Sequence, residues 1–228
     1  KIKTIPGVFR YTVDKLNVIM KEVKKYKIPM VALFPYTPNS KKDNLGSEAL
    51  NENNLVCKSI RYIKKKYSKI GIMCDVALDP YTDHGHDGII INKKIDNDET
   101  IKILIKQSIL QAKMGCDVIA PSDMMDGRIK AIRKALDKEN LKDVNILSYS
   151  AKYASNFYGP FRDAVGSNKK LKFDKKTYQM DFRNSNEAYR EIGLDIKEGA
   201  DIVMVKPGLP YLDIIKNIKD KFKIPVFA

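Results

Sequence analysis

The stretch DIVMVKPG, Asp201 to Gly208, is typical of a buried strand that ends in a charge. Its apolar residues Ile202 to Val205 are mostly β-branched, which indicates a short strand covered on both faces, as in a parallel sheet. Lys206 follows them directly, and Pro207-Gly208 ends the run. An ammonium group in apolar surroundings is costly unless it reaches solvent or loses its proton. Lys206 is therefore either a lysine at a solvated strand edge or a nucleophilic amine with a lowered pKa.

The rest of the chain alternates segments of this strand type with amphipathic helical segments. This alternation produces βα units and a parallel sheet. Six consecutive units, with no GxGxxG motif in the first, favour a (β/α)8 TIM barrel over a dinucleotide-binding fold. We predict one α/β domain over residues 1–228 that lacks the first and last barrel strands, before Lys1 and after Ala228. The predicted strands are 29–36, 71–78, 116–122, 143–150, 201–207 and 224–228, and the predicted helices are 13–26, 98–115, 126–136 and 209–222.

Composition limits the class of protein further. The 228 residues, 43% of them apolar, suit one large α/β domain or two small ones, and no apolar run approaches the roughly 20 residues that span a bilayer. Three widely spaced cysteines, Cys57, Cys74 and Cys116, favour a reducing compartment over a disulfide framework or a CxxC metal site. The net charge of +14 would suit nucleic acid, but 35 lysines and only 7 arginines, scattered over helix faces, indicate a solvated basic surface.

A second lysine ends the strand predicted before Lys206. Lys152 follows the segment DVNILSYS, 143–150. In a parallel barrel both lysines would face the mouth formed by the carboxyl ends of the strands, where Asp75 and Ser122 also fall. Two close ammonium groups lower each other's pKa, which leaves a neutral amine near pH 7. Because a neutral amine attacks a ketone or aldehyde to form a Schiff base, these residues predict an imine-forming barrel enzyme.

Six segments, in order along nearly the whole chain, resemble the porphobilinogen synthase (5-aminolaevulinate dehydratase) family. The resemblance implies a lyase of heme and other tetrapyrrole biosynthesis that condenses two 5-aminolaevulinate molecules to porphobilinogen with loss of two waters. Each lysine would hold one substrate as a Schiff base, Lys206 on the acetyl and aminomethyl side and Lys152 on the propionyl side. The matching segments are ALFP (32–35), DVALDPYTDHGHDG (75–88), APSDMMDGR (120–128), SAKYASNFYGPFRDA (150–164), YQMD (178–181) and MVKPGLPYLDI (204–214).

The resemblance also implies roles for side chains outside the lysine pair. Arg162 and Lys175 would bind the first substrate's carboxylate, where an arginine suits a planar fork of two oxygens. Tyr158 would lie over the imine. The remaining members of the implied site are the catalytic Asp75, Asp79 and Asp87 and the substrate-binding Ser122 and Gln179.

The loop at 75–88 separates this chain from the zinc-dependent members of the family. They carry three cysteines where this chain has Ala77, Asp79 and Asp87, and without thiolates we expect no zinc. The resemblance is therefore to the aspartate-rich branch, in which the two aspartates serve as acids and bases or hold a hard cation. That branch uses magnesium as an allosteric activator, and its carboxylate corresponds to Glu191. No organic cofactor is expected.

Two other interpretations stay open at this point: a class I aldolase-type Schiff-base enzyme, and a basic nucleic-acid-binding module. The family resemblance favours neither, and we expect no nucleic-acid or membrane partner. It implies a homo-octamer built with an N-terminal arm, and a serine and a tyrosine beyond Ala228 that bind the second substrate's carboxylate. The expected compartment is a plastid-type organelle or the cytoplasm.

Overall fold

A parallel sheet curls into part of a barrel in the computed structural model, which describes residues 1–166 and 174–228. Its six strands lie side by side in chain order, and a short antiparallel hairpin of two further strands lies outside it. The α/β barrel class and all six predicted strands are confirmed. The sheet contains β1 (Met30–Leu33), β2 (Gly71–Val76), β5 (Val118–Pro121), β6 (Asn145–Lys152), β7 (Ile202–Lys206) and β8 (Val226–Phe227), and the hairpin contains β3 (Ile89–Ile91) and β4 (Lys94–Asp96).

Helices lie between the strands of the sheet. The four predicted helices are present with ends shifted by a few residues. The described residues contain three further helices that were not predicted. One of them, α2 (Leu55–Lys66), is capped by Asn54, whose side chain accepts a hydrogen bond from the Cys57 amide. In the described part of the chain no helix has the length and apolar character to cross a membrane. The helices are α1 (Leu16–Lys25), α2 (Leu55–Lys66), α3 (Asn97–Lys113), α4 (Arg128–Lys138), α5 (Gly159–Val165), α6 (Ser185–Glu198) and α7 (Leu212–Lys221).

The two faces of the sheet bury two different apolar clusters. The larger cluster packs between the strands and the surrounding helices and includes Ile72, Cys74 and Val205. The smaller one fills the concave side of the sheet, and side chains alternate between the two along each strand. The concave cluster consists of Met73, Val118, Ala120, Leu147, Tyr149 and Met204.

This alternation places polar side chains directly above the concave cluster. Asp75 lies two residues after Met73, Ser122 two after Ala120, and Lys206 two after Met204, so each continues the inward-facing row of its strand. The carboxyl ends of β2, β5 and β7 therefore direct these three groups into the barrel mouth, which is where barrel enzymes carry their sites.

Lys152 reaches the same mouth through an irregularity in β6. Ser148 pairs with Val203 and Ala151 with Val205, so β6 uses one residue more than β7 over this interval. Such a β-bulge reverses the facing of every later side chain on its strand. It brings Lys152 opposite Lys206 and onto the face that Tyr149 shares.

Candidate active site

A small cavity of about 30 Å³ lies at the carboxyl ends of β2, β5, β6 and β7. It brings together every site residue predicted from the sequence except Glu191. It shares Arg162, Lys175 and Gln179 with a second, wider cavity of about 720 Å³, which provides room for molecules larger than water. The small cavity is lined by Asp75, Asp79, Asp87, Ser122, Lys152, Tyr158, Phe161, Arg162, Lys175, Gln179 and Lys206.

The two lysines are direct cross-strand neighbours. Lys152 and Lys206 are paired in the register of β6 and β7, and their Nζ atoms lie 5.9 Å and 5.0 Å from the centre of the Tyr149 ring. Burial and the neighbouring charge of Lys152 lower the pKa of Lys206 to about 8. Near neutral pH a substantial fraction of Lys206 is therefore an uncharged amine, the form that attacks a carbonyl carbon.

Lys152 is the more buried member of the pair. Its side chain is 8% exposed, and its Nζ donates a hydrogen bond to the backbone carbonyl oxygen of Ser122. This bond ties the end of β6 to the end of β5 and fixes the nitrogen beneath the cavity. Its position is therefore set by the backbone of a neighbouring strand.

Aromatic rings surround the Lys206 nitrogen. Phe161 lies 4.4 Å from it, Tyr149 5.0 Å and Tyr158 5.8 Å, each measured to the ring centre. The Tyr158 hydroxyl donates to the Lys206 carbonyl oxygen at 2.8 Å, which fixes that ring against the strand end. The rings exclude water, and their faces attract a cation such as a protonated imine.

Two of these rings were not predicted as site residues. Phe161 directly precedes Arg162 in the sequence, and this position next to a predicted site residue could have indicated that Phe161 lies in the site. Tyr149 gives no such signal, because simple alternation places it on the opposite face of the strand from Lys152. Only the bulge in β6 brings the two to the same side.

Asp75 is the acid beside the lysine pair. Burial and the nearby Asp79 carboxylate raise the pKa of Asp75 to about 7, although Ser122 and both lysines oppose that shift. Within the described residues its Oδ1 atom is buried without a hydrogen-bond partner, as is Oε1 of Gln179. Buried oxygens of this kind are normally satisfied, so their presence in one cavity indicates that a polar ligand completes them.

Asp79 and Asp87 both form an ion pair with Lys175. The Lys175 Nζ atom lies 3.4 Å from Asp79 Oδ2 and 3.0 Å from Asp87 Oδ2, and it is 5% exposed at the side chain. Burial alone would raise the pKa of Asp87, but Lys152 and Lys175 hold it below its usual range. Burial likewise disfavours the charged lysine, but the two carboxylates raise the pKa of Lys175 above its ordinary value.

The loop between β2 and β3 brings the two aspartates together. The Leu78 amide donates to the Asp87 carbonyl oxygen at 3.1 Å, so the loop closes on itself. Its interior is held by the Thr82 hydroxyl, which donates to the His86 carbonyl oxygen at 2.9 Å. Gly88 leaves room for Thr100, since a β-carbon there would lie 2.7 Å from the Thr100 hydroxyl oxygen.

The two histidines of this loop are buried among its own atoms. The His86 amide donates to Nδ1 of His84 at 3.2 Å, and the His86 ring lies within 3.1 Å of the Tyr178 hydroxyl. Burial and the nearby Lys175 charge lower the pKa of His86 to about 4, which keeps the ring neutral. Both histidines therefore support the loop.

Glu191 lies elsewhere, on α6, beside a separate cavity of about 50 Å³. Burial and the carboxylates of Asp195, Asp126 and Glu187 raise the pKa of Glu191 above its ordinary value. Across residues 1–166 and 174–228, no group of three or more His, Cys, Asp or Glu side chains is arranged as a metal site. The acidic residues that line this cavity are Asp126, Glu191, Asp195 and Glu198.

Comparison with known proteins identifies the group to which this site belongs. The family model described as delta-aminolevulinic acid dehydratase matches residues 1–228. Proteins of that name from Bradyrhizobium diazoefficiens and Arabidopsis thaliana (a chloroplastic form) are 58% and 50% identical over the whole chain, which covers 65% and 53% of their lengths. The chain thus spans roughly half to two thirds of these relatives.

A solved structure agrees with the sequence comparison. The delta-aminolevulinic acid dehydratase of Toxoplasma gondii, in complex with the reaction product porphobilinogen, superposes with a TM-score of 0.97. The two chains are 46% identical, and the match covers 99% of this chain and 65% of the other.

Proposed function

Since the chain belongs to the delta-aminolevulinic acid dehydratase family, we propose that it carries the catalytic barrel of a lyase that condenses two 5-aminolaevulinate molecules to porphobilinogen. The observation that carries this proposal is the pairing of Lys152 with Lys206 in one cavity. A class I aldolase-type enzyme forms an imine on one lysine only, and in that alternative the second lysine would serve only to lower the pKa of the first.

The lysine pair would form one imine with each substrate. The neutral Lys206 amine attacks the ketone carbon of one molecule, and the ketone oxygen leaves as water. Lys152 does the same with the other molecule, which accounts for the two waters lost. Asp75, with a pKa of about 7, is suited to give a proton to the departing oxygen and to take one back near neutral pH.

The substrate carboxylate would be recognised at the junction of the two cavities. Arg162 offers a planar fork of N–H donors, and the side-chain amide of Gln179 offers a further N–H donor, its Nε2 group. Lys175 stands in the same junction but is already paired with Asp79 and Asp87. We therefore assign the main contact with the carboxylate to Arg162 and propose that Lys175 assists it through its charge.

We propose that the aspartate pair works without zinc. Ala77 provides no ligand atom, the two carboxylates are hard oxygen donors, and the Lys175 ammonium is already paired with both of them. Asp79 and Asp87 would then act as acid and base groups with Lys175 as their fixed counterion.

Magnesium fits the cavity beside Glu191 better than the lysine cavity. Glu191 and its acidic neighbours repel one another, and a divalent cation with a water shell would relieve that repulsion while using only one or two carboxylates. Bound there, the ion would supply charge neutralisation away from the lysines and would act as an allosteric activator. We propose in addition a homo-oligomer, an octamer in the family, and a plastid-type or cytoplasmic location.

Removal of one lysine tests the proposed function. In the full-length protein Lys206→Ala should abolish porphobilinogen formation from 5-aminolaevulinate, while Lys152 still forms a borohydride-trapped adduct. Lys221→Ala is the matched control, because Lys221 also lies against an aromatic ring, 5.4 Å from the centre of Tyr189, but is exposed. Normal turnover in the Lys206 variant would overturn the proposal.

A further inference from the structure

The helix that carries two site side chains is too short to hold its own position. α5 comprises only seven residues, Gly159–Val165, and Val165 is its one buried residue. Helices shorter than about 12 residues are marginal in water, and most helical stability in proteins comes from packing. Phe161 and Arg162, which line the lysine cavity, therefore depend on contacts that fix the helix from outside.

The N-terminal end of α5 is fixed from within the site. Tyr158 precedes the helix, and its hydroxyl donates to the carbonyl oxygen of Lys206 at 2.8 Å. Phe161 packs edge-on against Phe34, with ring centres 5.2 Å apart. These contacts fix one end of the helix, and its direction is set by whatever fixes the other.

Hydrogen bonds from Thr4 and Arg10, near the start of the chain, hold the C-terminal end of α5. Nε of Arg10 donates to the Ala164 carbonyl oxygen at 2.7 Å, and Nη2 donates to the Asp163 carbonyl oxygen at 2.6 Å. The Thr4 hydroxyl donates to Asp163 Oδ2 at 2.8 Å. A guanidinium at a helix C-terminus provides donors for the last carbonyl groups, of which that of Asp163 also accepts from the Gly166 amide at 3.2 Å, and it complements the helix dipole.

The ring of Tyr36 contacts both Arg10 and the end of α5. The Arg10 guanidinium lies 4.3 Å from the centre of the Tyr36 ring, and that ring covers Gly166 at the end of α5. A β-carbon at Gly166 would lie 2.5 Å from Tyr36 Cε2, and its φ of +75° also favours glycine. The guanidinium, the ring and the glycine therefore form one closely packed unit at this end of the helix.

We propose that Arg10 is a positioning residue for the reaction and acts through Arg162. The role rests on the proposed function: the clamp formed by Thr4, Arg10 and Tyr36 keeps α5 oriented so that Arg162 faces the substrate carboxylate in the lysine cavity. When the clamp is lost, the binding-competent orientation is populated for only part of the time. Apparent affinity falls in proportion to that population.

The test compares two probes that differ only in the group that Arg162 would bind. 5-Aminolaevulinate and its methyl ester share the reacting ketone, and only the first carries the carboxylate. In the full-length protein, borohydride trapping at Lys152 and Lys206 is followed as the concentration of each probe is raised. The ratio of the two half-saturating concentrations gives the preference for the acid. A general loss of stability changes both probes alike and leaves the ratio unchanged.

We expect Arg10→Leu to lower the preference for the acid about 3- to 10-fold, as for a competent population reduced to roughly a tenth or a third. Arg10→Lys, which keeps the charge but loses the fork, should give a smaller reduction. Arg61→Leu is the matched control, since Arg61 also donates to a backbone carbonyl oxygen, that of Glu52, but lies outside the site. In an Arg162→Leu background, Arg10→Leu should have no further effect on the ratio.

The outcomes separate this proposal from the proposed function. An unchanged ratio in Arg10→Leu, or effects of Arg10 and Arg162 that multiply in the double variant, would overturn the positioning role and leave the proposed function standing. Failure of the wild-type protein to form any adduct with 5-aminolaevulinate would overturn the proposed function and this inference with it.

Discussion

Replacing Lys152 with methionine should raise the pKa of Lys206 above its present value of about 8. The two Nζ atoms lie 5.0 Å and 5.9 Å from the same ring centre, so their separation is at most the sum of these distances, about 11 Å. At that separation and an effective dielectric constant of about 20, two unit charges repel by about 1.5 kcal/mol, or about one pKa unit. The pKa should therefore rise by about one unit or more.

The consequence is a slower imine-forming amine at neutral pH. An amine with a pKa of about 8 is about one-tenth neutral at pH 7, whereas an ordinary lysine is neutral in only about one molecule in three thousand. Each unit of increase removes about nine-tenths of the neutral form. Lys152→Met should thus reduce the rate of trapping at Lys206 about tenfold at pH 7 and much less at pH 10.

The assay is borohydride trapping of 5-aminolaevulinate between pH 6 and 10, with the Lys206 peptide quantified by mass spectrometry. Lys152→Arg is the matched control, because it keeps the positive charge but cannot form the imine. It should leave the midpoint of the pH profile near that of the wild type. The reasoning fails if Lys152→Met leaves the midpoint in place, or if the arginine variant shifts it equally.

Four further results are expected, on substrate binding, on stability, on zinc and on magnesium. Arg162→Leu should weaken binding of the first substrate by roughly 1.5–3 kcal/mol, the scale of a hydrogen bond to a charged group, as measured by calorimetry, and Lys175→Ala should weaken it less. Lys175→Met should lower the free energy of unfolding at pH 7 by about 3–5 kcal/mol, because it removes the ion-pair partner of two buried carboxylates. Since the pKa of Asp87 is lowered on folding, the ion pair stabilises the fold above about pH 4. The difference in unfolding free energy between Lys175→Met and the wild type should therefore shrink as the pH falls below that value. A zinc-selective chelator should leave activity intact, and Glu191→Ala should remove stimulation by magnesium but keep a basal rate.

Each of these expectations has a result that would contradict it. Wild-type affinity in both Arg162→Leu and Lys175→Ala would show that this pocket does not bind the carboxylate. Equal stability of Lys175→Met and the wild type in urea unfolding at pH 7 would show that the ion pairs with Asp79 and Asp87 contribute nothing. Activity lost to the chelator and restored by zinc alone would contradict the zinc-free site, and unchanged magnesium stimulation in Glu191→Ala would contradict the allosteric role.

The strand order and the lysine pair could be predicted from the sequence because both depend on local patterns. Short β-branched runs separated by amphipathic segments indicate parallel strands, and a charge at the end of such a run falls at the barrel mouth. The facing of Lys152 could not be predicted in this way. Strict alternation from Tyr149 would direct it outward, and one extra residue in β6 reverses that direction.

Ion pairs and hydrogen bonds between residues far apart in the sequence could not be predicted from local patterns either. By sequence alone Lys175 belongs to a basic segment that is expected on the surface. In the structure it is buried between Asp79 and Asp87, two residues about 90 positions earlier in the chain. The contact between Arg10 and α5 joins residues more than 150 positions apart. Such pairs arise only when the folded sheet brings distant loops together, so family resemblance supplied the role of Lys175 and nothing in the sequence pointed to Arg10.

The central claim is that two neighbouring lysines each form an imine with a substrate molecule. The most direct test is to add 5-aminolaevulinate and borohydride to the full-length protein and to map the modified peptides by mass spectrometry. We expect adducts on the peptides that contain Lys152 and Lys206, and on no other lysine at comparable yield. An adduct on a single lysine, as in a class I aldolase, or adducts spread over the exposed lysines, would contradict it.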